Sequence, residues 1–125
     1  GSAEKTMAMS SITNAWVERK DGTRIDLADG ANIIGREPTV QIPLTDVTGV
    51  SRNHAKIEIQ KSQGLIWVED MGSTNGTYWG GPDATEKELK LVDKKHLINS
   101  GDKIWISGES LCIRFEGGTQ APREG

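Results

Sequence analysis

What most limits the folds open to this chain is its punctuation. Short runs that alternate apolar and polar residues are cut, roughly every ten residues, by a turn rich in Gly, Asp or Asn, and no convincing helix of about ten residues or more can be drawn. Trp16-Val17-Glu18-Arg19 leads through Asp21-Gly22 into Thr23-Arg24-Ile25-Asp26-Leu27, which reads as a β-hairpin. Asp29-Gly30 precedes Ala31 to Gly35, Val40-Gln41-Ile42 gives a short alternation, and Pro43 to Val50 reads as loop. Ala55-Lys56-Ile57-Glu58-Ile59-Gln60 has strict period two, turns at Gln63-Gly64 and returns as Leu65 to Asp70, a second hairpin. The returning run is more continuously apolar, the pattern of a strand with buried neighbours on both faces. After Tyr78-Trp79 and the cluster Gly80-Gly81-Pro82-Asp83, the stretch Glu86 to Val92 suits either a strand or one helical turn; the alternation in Glu88-Leu89-Lys90-Leu91 favours strand. Asn99-Ser100-Gly101-Asp102 and Ser107-Gly108-Glu109 then deliver Lys103 to Ile106 and Ser110 to Glu116. Roughly nine or more short strands without a fixed-period repeat point to an all-β sandwich, and away from propellers and solenoids.

One domain is expected over residues 14–116, with disordered tails at 1–13 and 117–125, where small polar residues show no period. The opening Gly1-Ser2 resembles a cloning scar, so a longer parent protein is expected. With 15 basic and 18 acidic residues the net charge is −3 and the pI about 5.4, which excludes the basic field that bulk DNA or RNA binding requires. No membrane-spanning apolar run and no signal peptide are recognisable. The lone Cys112 sits in a strand-like run and allows no internal disulfide, so a reducing intracellular compartment is expected.

The chemistry concentrates in a few polar clusters. Gly72-Ser73-Thr74-Asn75-Gly76-Thr77 is a tight turn whose side chains and N–H groups can all hydrogen-bond a partner, with Gly76 supplying the positive φ. Upstream, Gly35-Arg36 and Ser51-Arg52-Asn53-His54 bring fixed positive charge. Together these read as an anion clamp. Ser51 and His54 do not make a nucleophile and base, since no third orienting residue and no Gly-x-Ser-x-Gly elbow can be named. Two histidines and one cysteine offer no metal set, and no cofactor is called for. Asn75-Gly76-Thr77 matches a glycosylation sequon, but the turn reading prevails without a secretory context. Trp16, Trp67 and Trp105 are expected in the core or on half-buried faces, and Trp79 near a ligand.

In order and in spacing, Gly35-Arg36, Ser51-Arg52-Asn53-His54-Ala55, Asp70 to Thr77 and Gly101-Asp102-Lys103-Ile104 resemble the signature of the forkhead-associated (FHA) domain. The resemblance covers about residues 14 to 116. It implies a two-sheet antiparallel β-sandwich of about 10–11 short strands, with loops at one end that recognise phosphothreonine in a partner protein. On that basis Arg36 is the phosphate's cation, Ser51 and Arg52 add a hydroxyl and a guanidinium, and Thr74 is the next phosphate-side residue. Asn75, with both a donor and an acceptor, holds the ligand's main chain. Gly35, His54 and Gly76 support the site structurally. The loops Thr45 to Val50 and Trp79 to Asp83 are expected to read residues flanking the phosphothreonine.

The function so implied is a non-enzymatic phosphothreonine-peptide reader in signalling, for instance in DNA damage or the cell cycle. A nuclear location is the family's frequent use. The competing reading is an assembly module of the same fold that binds a protein surface without phosphate.

Overall fold

The computed structural model describes residues 11–118. Eleven strands are placed in two sheets: β1 (Ile12–Arg19), β2 (Arg24–Asp26), β3 (Gly30–Gly35), β4 (Ile42–Pro43), β5 (Ala55–Gln60), β6 (Leu65–Asp70), β7 (Tyr78–Gly80), β8 (Lys90–Leu91), β9 (His96–Leu97), β10 (Lys103–Ile106) and β11 (Glu109–Gly117). One sheet has the order β2-β1-β11-β10-β7-β8 and the other β4-β3-β5-β6-β9. All pairings are antiparallel except β3 with β4, which the intervening turn brings back parallel at Ile34↔Ile42. The expected sandwich is therefore the observed one. Among the described residues no helix is long and apolar enough to cross a membrane.

Period two decides which side chains meet between the sheets. Val17, Ile104, Ile106, Leu111 and Ile113 point inward from one sheet, Ile34, Ile57, Ile59, Ile66 and Val68 from the other, and all are essentially without solvent exposure. In β6 the burial is one-sided, contrary to the expectation of two buried faces. Ile66 and Val68 face the core, while Leu65 and Trp67 are only half-buried on the outer face, where the Lys95 ammonium lies 5.2 Å from the Trp67 ring. A large aromatic on an open sheet face is stable when a cation and its methylene stem cover it. Trp16 and Trp105 are half-buried on the opposite sheet, Trp16 with the Arg24 guanidinium 3.9 Å from its ring.

Several edges move relative to the sequence pattern. β1 starts at Ile12 rather than at Trp16 and β11 ends at Gly117 rather than at Glu116, because Ile12 pairs with Gly117 and buries its side chain. Of the tails expected at 1–13 and 117–125, residues 1–10 and 119–125 lie outside the described residues. The stretch 86–92 is split rather than a single strand. Glu86–Glu88 forms a 3-10 turn, in which the Glu88 carboxylate accepts from the Thr85 N–H at 2.8 Å, and only Lys90–Leu91 pairs as strand.

Register places the polar clusters at one end of the sandwich. Ile34 pairs with Ala55 and Ala55 with Asp70, so the chain leaves β3, enters β5 and leaves β6 side by side. On the other sheet Trp105 pairs with Tyr78, which brings the β10–β11 turn to the same end.

Candidate functional site

The turn over residues 72–77 is built around a residue the sequence reading left without a role. Asp70, the last residue of β6, accepts from the N–H groups of Gly72 and Ser73 at 3.0 Å each, from the Ser73 hydroxyl at 2.6 Å and from the Thr77 hydroxyl at 2.7 Å. Partial burial pushes its carboxyl pKa up, but the hydrogen bonds from Ser73, Thr77 and Gly72 outweigh it and hold the pKa below the ordinary value. Ser73 then accepts from the Gly76 N–H at 2.9 Å, closing the turn, and Gly72 and Gly76 take φ of 77° and 84°. The side chains of Thr74 and Asn75 are left exposed at its tip.

His54 ties this turn to the β4–β5 loop. It is fully buried; its Nδ1 accepts from the Ser51 N–H at 3.0 Å and its Nε2 lies 2.8 Å from the Gly76 carbonyl. An Nδ1 that accepts leaves the proton on Nε2, so the ring is the neutral Nε2–H tautomer and donates to Gly76. Both ring nitrogens are committed to backbone, so His54 is not placed to take the Ser51 hydroxyl proton. The supporting role of Gly35 is equally direct. A Cβ there would stand 2.0 Å from the Arg52 carbonyl oxygen, so only Gly lets the two backbones lie this close.

Four of the five residues expected to face a ligand can be placed by their hydrogen bonds. The Arg36 N–H donates to the Ser51 carbonyl at 3.0 Å, its guanidinium touches the Val50 carbonyl at 3.5 Å, and its side chain is otherwise exposed. The Thr74 N–H donates to Ser51 Oγ at 3.1 Å, which orients the hydroxyl and leaves its proton to donate elsewhere. Asn75 Nδ2 donates to the Gly49 carbonyl at 2.9 Å, fixing the amide while its oxygen and second N–H remain available. Arg52 is the residue whose placement differs in kind: its Nε lies 3.3 Å from Glu37 Oε2.

Trp79 is not among them. It points inward from β7, packs against the core and stacks on His96 with ring centroids 3.6 Å apart. Strand alternation makes Tyr78, not Trp79, the aromatic beside the turn, and Tyr78 lines a groove there with Leu91. The loop 79–83 instead borders a separate groove with Ala84 and Glu88, so of the two loops expected to read flanking residues only 45–50 meets the turn. Besides Asp70, the sequence reading missed Gly49 and Ser107. Gly49 has φ 90°, and a Cβ on it would lie 2.9 Å from Ser107 Oγ and 3.0 Å from Asn75 Nδ2, so three loops converge there. An Asp just before a Gly-Ser turn is a recognisable signal for Asp70. For Gly49 the chain gives no comparable sign.

Comparison with known proteins agrees with this geometry. The family model "FHA domain" matches residues 32–107. FhaA of Mycobacterium tuberculosis, an FHA domain-containing protein, is 33% identical over 108 residues, covering 85% of this chain and 18% of FhaA. The E3 ubiquitin-protein ligase CHFR of Danio rerio is 32% identical over 90 residues, covering 72% of this chain and 13% of CHFR. The chain thus spans under a fifth of either relative. A solved structure described as a structural and functional analysis of phosphothreonine-dependent FHA domain interactions superposes with a TM-score of 0.66 at 29% identity, covering 83% of this chain and 98% of the other. The relatives include bacterial proteins and lend the expected nuclear location no support. With its eleven-stranded sandwich, its clustered Arg36, Ser51, His54 and Asn75, and a family model over residues 32–107, this chain belongs to the FHA domain family.

Proposed function

We propose that this domain binds phosphothreonine-containing peptides and so recruits its parent protein to a phosphorylated partner inside the cell. A phosphothreonine carries about −1.5 to −2 charge and three acceptor oxygens, which calls for a fixed cation and several short donors. Arg36 supplies the cation, the Ser51 hydroxyl and the Thr74 hydroxyl the donors, and Arg52 a second guanidinium once it leaves Glu37. Asn75 holds the ligand main chain through its free amide oxygen and N–H. The observation that carries this reading is the hydrogen bond from the Thr74 N–H to Ser51 Oγ, which joins the two loops and leaves the hydroxyl proton to donate.

The role is one of binding rather than turnover, and it needs no cofactor or metal. Three or four charge-assisted hydrogen bonds at about 1.5–3 kcal/mol each, set against several kcal/mol for association, give a micromolar Kd. Threonine is favoured over serine about fivefold by burial of its methyl group. The alternative of phosphate-independent docking rests on the exposed Tyr78 and Leu91, 37% and 58% accessible. Competition with free phosphate separates the two, since it weakens only the phosphothreonine interaction. Incubating the domain with a phosphopeptide and finding dephosphorylated product would overturn the binding-only reading.

A further inference from the structure

An acidic side chain stands beside the two arginines that the proposed reader needs. Glu37 follows Arg36 directly in sequence, and its Oε2 is 3.3 Å from Arg52 Nε. This closeness follows from the backbone. The Arg36 N–H donates to the Ser51 carbonyl at 3.0 Å, and Gly35 packs onto the Arg52 carbonyl so tightly that no side chain fits between them. Of the other carboxylates near these loops, Asp70 organises the turn, Asp46 takes the Arg19 guanidinium at 3.0 Å, and Asp93 lines the groove on the Tyr78 and Leu91 side of the turn. Arg52 is the one ion-pair partner of Glu37 among the described residues, and both are open to solvent, at 71% and 42% side-chain exposure.

An exposed pair of this kind is weakly held, whereas a phosphate makes a bidentate, charge-assisted contact with a guanidinium. A phosphorylated ligand therefore takes Arg52 from Glu37. Glu37 is then a bare carboxylate within one side chain of a doubly charged phosphate, and the repulsion is relieved only by another cation. We propose that Glu37 is a specificity-determining residue: released from Arg52, it accepts a lysine or arginine of the ligand that flanks the phosphothreonine, so the domain favours basic phosphosites and disfavours acidic ones. An extended peptide advances about 3.3 Å per residue, which puts the residues one or two places from the phosphothreonine within reach of that carboxylate. The inference rests on the phosphothreonine reading above.

The test compares three phosphothreonine peptides, identical except that the flanking positions carry Ala, Lys or Glu, by titration against wild type, Glu37→Gln, Glu37→Lys and Glu86→Gln. The last makes the same charge change on the distant 3-10 turn. Wild type is expected to prefer the Lys-flanked over the Glu-flanked peptide by about tenfold. Glu37→Gln should reduce that ratio to about twofold while binding the Ala-flanked peptide about threefold more tightly, and Glu37→Lys should reverse the preference. Glu86→Gln should leave the ratio where it was. A ratio unchanged in Glu37→Gln, or lowered equally by Glu86→Gln, would overturn the role of Glu37 while leaving the reader intact. Failure of wild type to bind any of the three would remove the reader itself.

Discussion

At the scale of single residues, two buried or half-buried polar groups make the site before any ligand arrives. His54 joins the Ser51 N–H to the Gly76 carbonyl, so His54→Ala leaves one donor and one acceptor without a partner and opens a cavity. The expected cost is about 2–4 kcal/mol in chemical denaturation, with weaker phosphopeptide binding alongside. Asp70 is held in its charged form by donors only, and in Asp70→Asn the amide N–H would meet one of them head-on. A loss of about 2 kcal/mol or more at neutral pH is expected, read by the shift in denaturation midpoint. The pH dependence follows from the sign of the shift. Because the folded pKa lies below the unfolded one, the Asp70 contribution is complete above the ordinary carboxylate value and disappears as pH falls through the folded value. Stability profiles of wild type and Asp70→Asn should therefore converge in acid and separate toward neutrality; parallel profiles would contradict this. His54 was legible because its place in the Ser-Arg-Asn-His run carries the family resemblance. Asp70 carried a sign in its place ahead of the turn, but its role was not legible, because it depends on four donors that the turn alone brings within reach.

At the scale of elements, the strands were readable wherever alternation was undisturbed, as in β5 and β11, and misread where a second force competed. In β6 the outward Leu65 and Trp67 made the run look buried on both faces, because hydropathy cannot register a covering Lys95. In 86–92 local capping by Glu88 overrode the strand pattern. The β10–β11 turn is of another kind. Ser107 and Gly108, at φ 50° and 83°, form a two-residue hairpin loop of type I′, and Ser107 is the non-glycine residue with positive φ among those described. Its Oγ is also buried without a hydrogen-bond partner. Ser107→Gly removes both penalties and should stabilise the domain by about 1 kcal/mol, visible as a raised Tm; a lowered Tm would mean that the hydroxyl has a use the turn geometry does not reveal. Gly35 gives the opposite case. Gly35→Ala must push the Arg52 backbone away, so phosphopeptide affinity should fall by about tenfold or more even if the sandwich stays folded, as judged by circular dichroism and titration together.

At the scale of the whole molecule, the sandwich is a rigid frame that aligns four loop ends, and the proposed specificity lies in what those loops carry. Fold and family were legible from spacing, since turn signals and alternating runs survive without knowledge of contacts. The orientation of Trp79, the engagement of Arg52 and the convergence of Gly49, Asn75 and Ser107 were not, because they are set by which loops meet in space. Phosphothreonine reading is decided by enrichment from degenerate phosphothreonine, phosphoserine and unphosphorylated peptide libraries by wild type and Arg36→Ala. Enrichment is expected to be strongest for phosphothreonine, absent without phosphate, abolished by free phosphate and lost in a folded Arg36→Ala. Equal recovery of unphosphorylated peptides, or binding unchanged in Arg36→Ala, would contradict it and give the phosphate-independent docking face the stronger claim.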